Sequence, residues 1–201
     1  MNNFKEFWRG LGLFWKEIFS KHKILFLSLC TFFVLGILSA FLIDENSKNE
    51  LIKIIVEKLE QELPADAQGW PLFFYIWKNN IQVLLITFAF SFLLFIPFLI
   101  EFFNGLIISV VVAFSLTSIT WGKAMLMILP HGIFELSFFF LGAFLAMLFW
   151  LKLYFPKKFL PELSRNQTFK KIFINFAIII IGLGVSALIE TWLTPFLAGV
   201  N

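Results

Sequence analysis

The chain has 201 residues, 60% of them hydrophobic and 14% charged, with a formal net charge of +3. Soluble domains carry roughly 25% charged residues, so this much apolar content excludes a single soluble core and points to the bilayer as solvent. The one cysteine, Cys30, excludes an intramolecular disulfide and a cysteine metal cluster, and reads as a buried structural thiol.

Residues 3–20 carry Phe4, Phe7, Trp8, Leu11, Phe14, Trp15 and Ile18 at helical spacing, with Lys5, Arg9 and Lys16 off that stripe. This pattern suits an amphipathic helix lying in membrane lipid at the interface, or one packed on the protein's own cytoplasmic face. Residues 24–43 follow as span 1, too long for a signal-peptide core. His22, in the basic flank before it, is expected to be solvated. Gly36 and Ala40 form a small-xxx-small pair that fits either a homo-oligomer or internal packing.

Residues 44–78 form the one sizeable polar stretch. Ser47 and Glu50 have capping-box spacing. Leu51, Ile55, Leu59 and Leu63 then mark one face of an amphipathic helix ending near Pro64, which either caps the bundle or docks a partner. Trp70, Tyr75 and Trp77 suit an aromatic belt at the headgroups.

The 44 residues from Asn79 to Gly122 hold one charge, Glu101. As a single helix they would reach roughly 66 Å, twice a bilayer core. Two spans are therefore expected, 81–100 and 105–121, with the turn between Pro97 and Gly105. Span 4 is expected at 130–151, with Pro130 at the helix start, where a missing N–H costs nothing. Residues 152–171 form a basic loop, and 172–194 form span 5. Asn166-Gln167-Thr168 is read as a chance glycosylation match.

Five positive charges precede span 1 and six follow span 4, against five on the other side spread among seven acids. The positive-inside rule then puts the N-terminus in the cytoplasm and the C-terminus, with 44–78, outside the plasma membrane. The fold class is all-α: an integral multi-pass helix bundle in one membrane domain.

Ionisable residues at membrane depth are functional candidates by default. His131 and Glu135, at i and i+4, share a helix face. Gly142 and Ala146 continue that face, and Gly182 and Ser186 share a face with Glu190, so both carboxylates are expected at helix contacts. His131, Glu135, Glu190 and Asn80 form the expected polar cluster at the outer level. Glu101 and Asn104 form a second polar site toward the inner side. Pro130, Gly132 and Gly105 are structural. The cluster reads as a hydrogen-bond network, as a substrate, ion or proton site, or as a divalent-metal site with His131, Glu135 and Glu190 as ligands. No hydrolase signature, nucleotide cradle or nucleic-acid-binding pattern is present. No catalytic residue is assigned and no cofactor is expected beyond that metal alternative.

Taken together, Asn79-Asn80 opening a span, Asn104-Gly105, the segment Leu129-Pro130-His131-Gly132-Ile133-Phe134-Glu135-Leu136, and Glu190 before Thr194-Pro195 resemble the stage II sporulation protein M family, also called DUF95. The resemblance covers roughly residues 20–197 and implies that Asn104, Pro130, His131, Gly132, Glu135 and Glu190 are signature positions. It brings no catalytic role. It implies a non-enzymatic scaffold that recruits membrane or cell-envelope proteins; the namesake recruits two peptidoglycan-degrading partners during engulfment of the forespore. Relatives occur in organisms that do not sporulate. The third span is leaner in glycine than the family pattern.

Overall fold

The computed structural model describes residues 2–63, 67–160 and 163–199. Among them, α1 is Asn2–Ser39, α2 Glu45–Glu62, α3 Trp70–Phe90, α4 Ile96–Ser115, α5 Trp121–Tyr154, α6 Arg165–Leu188 and α7 Thr194–Ala198, with a π-helical turn at Ile189–Leu193. No strand is present among the described residues. Five helical stretches are long and apolar enough to cross a membrane: Phe4–Ser39, Trp70–Phe90, Ile96–Ser115, Trp121–Tyr154 and Arg165–Leu197. The protein is thus an all-α membrane bundle.

The element boundaries depart from expectation where proline and glycine were taken as breakers. The second span is 70–90 rather than 81–100, and the chain turns at Ser91–Phe95. Pro97 sits in the first turn of α4, where its absent N–H has no partner to lose. Glu101, Asn104 and Gly105 are therefore inside a helix and not in a turn. Gly105 is where α4 crosses α1. A Cβ there would collide with the Phe33 carbonyl, and one at Gly36 would collide with the Phe102 carbonyl. These reciprocal glycines let two backbones touch, which assigns Gly36 to internal packing.

The expected interfacial helix and span 1 are one helix, bent at His22 (φ −126°, ψ 20°). Its N-terminal half divides by exposure. Phe4, Phe7 and Trp8 are exposed, whereas Phe14 and Ile18 are fully buried in the core shared with α5 and α6. Lys171 lies over the Phe14 ring at 5.6 Å, and Phe19 packs on Phe144 at 5.4 Å. The second half of the stripe is therefore held by protein. His22 is half-buried rather than solvated and stacks on Phe159 at 5.2 Å.

This end of the bundle gathers the basic segments. Lys152, on the last turn of α5, is 2% exposed and donates to the carbonyls of Pro156 (2.9 Å), Leu160 (2.7 Å) and Leu163 (3.0 Å). Three ammonium donors thus meet three acceptors, fastening the loop before α6. Ser164 caps α6 through a capping box, its Oγ accepting from Gln167 N while Gln167 Oε1 accepts from Ser164 N. Nearby, Trp150 Nε1 donates to Phe88 O at 3.0 Å, and the Tyr154 hydroxyl to Phe92 O at 3.0 Å. The α3–α4 turn is tied to the end of α5 in this way.

The opposite end carries α2. Its N-cap is Asp44, not Ser47: the Asp44 carboxylate accepts from Ser47 N at 3.0 Å and from Ser47 Oγ at 2.7 Å. These two bonds hold the Asp44 carboxyl below the usual carboxylate range. Ile52 anchors α2 against Ala40, Leu106 and Val110. Val56 is exposed, as is Ile54, which borders the first cavity of the bundle. Pro64 and the Leu59 side chain lie outside the described residues. The expected aromatic belt divides: Trp70 is exposed, whereas Trp77 is internal, donating to Ile180 O at 3.0 Å with its ring against Gly184.

Candidate functional site

Four elements converge beneath α2. His131 and Glu135 come from α5, Glu190 from the π-helical turn, Asn80 from α3 and Thr194 from α7. One ligating atom from each of His131, Glu135 and Glu190 lies within 4.8 Å of the others, and all three residues are half-buried. The cluster read from the sequence is thus assembled in space.

Each position has a local cause. Pro130 is the tenth residue of α5, inside the helix, and not at its start. It lacks the N–H that would bond to the Leu126 carbonyl. The helix nevertheless continues, so the apolar piece 124–129 belongs to α5. At the residue after Pro130, Ser186 Oγ donates to the His131 carbonyl at 3.0 Å and pins α6 to this region. His131 Nδ1 lies 3.2 Å from Thr194 Oγ1, which orients the ring. The π-helical turn displaces the register of α6 just at Glu190; such turns recur at functional sites. Glu190 and Thr194 are four residues apart and reach the same side chains from adjacent turns. Gly182 faces the Phe138 ring, where a Cβ would clash, so α5 and α6 approach closely on the expected face. Gly132 has no such demand: a Cβ there would meet Ile128 Cγ2 at 3.6 Å, an ordinary contact.

The cluster opens into two adjoining cavities of about 650 Å³ and 600 Å³ that share Lys58, Asn79, Asn80, Ile107, His131 and Glu135. Tyr75, Glu190 and Thr194 line the first; Asn104 and Gly132 line the second. Asn104 lines the second cavity and its side chain also lies beside the Glu101 carboxyl, so the expected Glu101–Asn104 pair is kept while Asn104 borders the His131 cavity as well. Glu101 is 1% exposed near Cys30, between α1 and α4, and lines neither cavity.

Electrostatically the site crowds two carboxyl groups into a part-buried space. Glu135 and Glu190 are neighbours, and neither forms an ion pair among the described residues. Asn80, 4% exposed, lies against Glu135, yet its Nδ2 has no hydrogen-bond partner, and the same is true of Asn104 Nδ2. Such orphaned polar groups are uncommon in native structures.

Sequence reasoning missed four residues, Thr194 at the site and Ser164, Gln167 and Lys152 at the basic end. Thr194 could have been found as the residue four beyond Glu190 on its face. Ser164 and Gln167 display the S-x-x-Q signature, hidden by attention to the glycosylation match. Lys152 left no such signal, since nothing in a run of lysines marks the one that turns inward.

The fold and the polar cavity define a polytopic helical membrane protein with an ionisable site at one end. Residues 25–195 match the family model of Stage II sporulation protein M, and the chain belongs to that family. No curated protein and no solved structure matches it.

Proposed function

We propose that the protein is a membrane organiser: a non-enzymatic scaffold that gathers partner proteins at the cell envelope. In this reading the basic end, with the N-terminus and the 152–171 segment, faces the cytoplasm, and α2 and the C-terminus lie outside. Family membership supports the class. The observation that carries the role is α2 itself. It is an amphipathic helix anchored through Ile52, and it leaves Val56 (42% exposed) and, at the mouth of the first cavity, Ile54 (62% exposed) uncovered. The charge bias supports the orientation, because the basic segments share one end. Partners are expected to be membrane or envelope proteins.

The test is a crosslinked pull-down from the native membrane in mild detergent. It compares wild type with a chain whose residues 45–62 are replaced by a neutral linker, and with Ile54→Glu. Loss of a specific partner in both variants, with the bundle still folded, is the expected result. Partners unchanged in both would refute the role of α2. Single cysteines placed at Glu57 and Lys158 in a Cys30→Ala background test the orientation. An impermeant thiol reagent on intact cells should label the first and spare the second.

A second reading is favoured by one specific observation, the polar cavities at His131, Glu135 and Glu190. It is a transport or permeation component whose flux in proteoliposomes Glu135→Gln would abolish without loss of folding.

A further inference from the structure

We propose that His131, Glu135 and Glu190 form a binding site for one divalent transition-metal cation of the zinc class, completed by the Asn80 carboxamide. This goes beyond the organiser reading and does not rest on it. Four observations converge. The first is geometric. Metal–ligand bonds of roughly 2.0–2.2 Å set neighbouring ligand atoms about 3.4 Å apart around a tetrahedral ion. The three ligating atoms already lie within 4.8 Å of one another, so a shift of about 1 Å, within the reach of carboxylate side-chain rotation, closes the set.

The second observation is the orientation of the imidazole. Thr194 Oγ1 engages His131 Nδ1 and leaves Nε2 as the ligating nitrogen. A hydrogen bond to the non-ligating nitrogen is the usual way a protein fixes a metal-binding histidine. The third is charge. Two adjacent carboxylates in a low-dielectric site repel each other, and no cation pairs with them among the described residues. Among the described residues, Lys58 is the one lysine lining the cavities and makes no ion pair there. A divalent ion neutralises both carboxylates at once. The fourth is Asn80, 4% exposed, which lines both cavities against the Glu135 carboxyl with its Nδ2 short of a well-formed hydrogen bond. Its carbonyl oxygen is a ligand that needs no deprotonation.

The donor set selects the ion. One imidazole nitrogen with two carboxylates suits Zn²⁺ and its first-row neighbours better than Mg²⁺ or Ca²⁺, which favour all-oxygen shells. The open cavity would leave a coordination position for water or for a ligand entering from beneath α2. The ion would tie α3, α5 and the π-helical turn together.

The experiment uses full-length, tag-free protein in detergent, equilibrated by dialysis against Zn²⁺ and read by elemental analysis. Co²⁺ loading gives a parallel visible-absorption signature of the coordination sphere. Wild type and Glu101→Gln are expected to retain about one Zn²⁺ per chain. His131→Ala and Glu190→Gln should lose it, with the Co²⁺ bands. Thr194→Val, which leaves every ligand in place, should weaken binding about 10- to 100-fold. It decides the matter if the ligand variants fail to fold. Absence of stoichiometric Zn²⁺ in folded wild type overturns the proposal. So does Zn²⁺ that persists unchanged in His131→Ala and Glu190→Gln, or, if those do not fold, in Thr194→Val. Equal loss in Glu101→Gln overturns it as well.

Discussion

The two ends of the bundle treat most of their buried polar groups differently, although His22 Nε2 at the basic end also lacks a partner. At the basic end, the Lys152 ammonium meets three carbonyls, and Ser164 and Gln167 satisfy each other. At the α2 end, Glu135 and Glu190 sit side by side without an ion pair among the described residues, and the Nδ2 atoms of Asn80 and Asn104, beside Glu135 and Glu101, form no regular hydrogen bond at the second cavity. A satisfied network contributes stability and needs nothing further. An unsatisfied one costs stability and persists only where something else is served. The difference assigns structure to the first end and ligand or partner chemistry to the second.

The strongest way to break this comparison is Lys152→Met. The substitution keeps the apolar stem and strands three carbonyls. Each unpaired buried acceptor costs about 1–3 kcal/mol, partly recovered if water enters, so a net loss of about 3 kcal/mol is expected. Thermal unfolding in detergent reads it; a change below about 1 kcal/mol would mean that the network is decorative. Ser164→Ala follows, removing the cap acceptor of α6. It should cost about 1 kcal/mol, with Ser164→Thr restoring most of it.

Much of this division could be read from the residues, and the reasons for the failures are physical. Helical spacing placed His131 and Glu135 on one face, and the small residues at 182 and 186 correctly brought Glu190 to them. Composition alone required a membrane bundle. What failed was the use of Pro and Gly as breakers. Pro97 and Pro130 are both inside helices, since one occupies a first turn and the other loses only a single bond in a long helix otherwise held by packing. Gly105 serves a helix crossing, a demand made by α1 and invisible in the local sequence of α4. The capping residue of α2 was misplaced by three positions because Asp44 and Ser47 are both good caps. Only the chain path after Ser39 selects between them. Asn104 lies beside Glu101 as expected, but inside α4 and not in a turn drawn at 97–105. Once the turn moves to Ser91–Phe95, the same residue climbs toward the cavity.

The α2 end should respond in the opposite sense. Glu135→Gln and Glu190→Gln each remove one of two crowded carboxylates and keep the shape. Stability should change by less than about 1 kcal/mol, and the double variant should be no worse than the sum of the singles. A loss of several kcal/mol in either single variant would show that this cluster is structural after all, and the contrast between the ends would collapse.

The smallest expected effect is also the most local. Asp44 is bonded to the Ser47 amide and hydroxyl, and its carboxyl is held below the ordinary value. Its contribution to the α2 start is therefore complete above the unfolded value of about 4 and is lost as pH falls through the lower folded value. Neutral-pH measurements will never see it. In nuclear magnetic resonance spectra of micelle-embedded protein, the Ser47 amide shift should titrate with a midpoint below that of an exposed aspartate. Asp44→Asn should remove the titration and keep the helix, because asparagine caps nearly as well. If the Ser47 amide does not move on acidification, the cap is elsewhere. The seat of α2 over the cavity would then have to be set by Ile52 and its apolar neighbours alone, which makes α2 a lid held from its middle and not from its end.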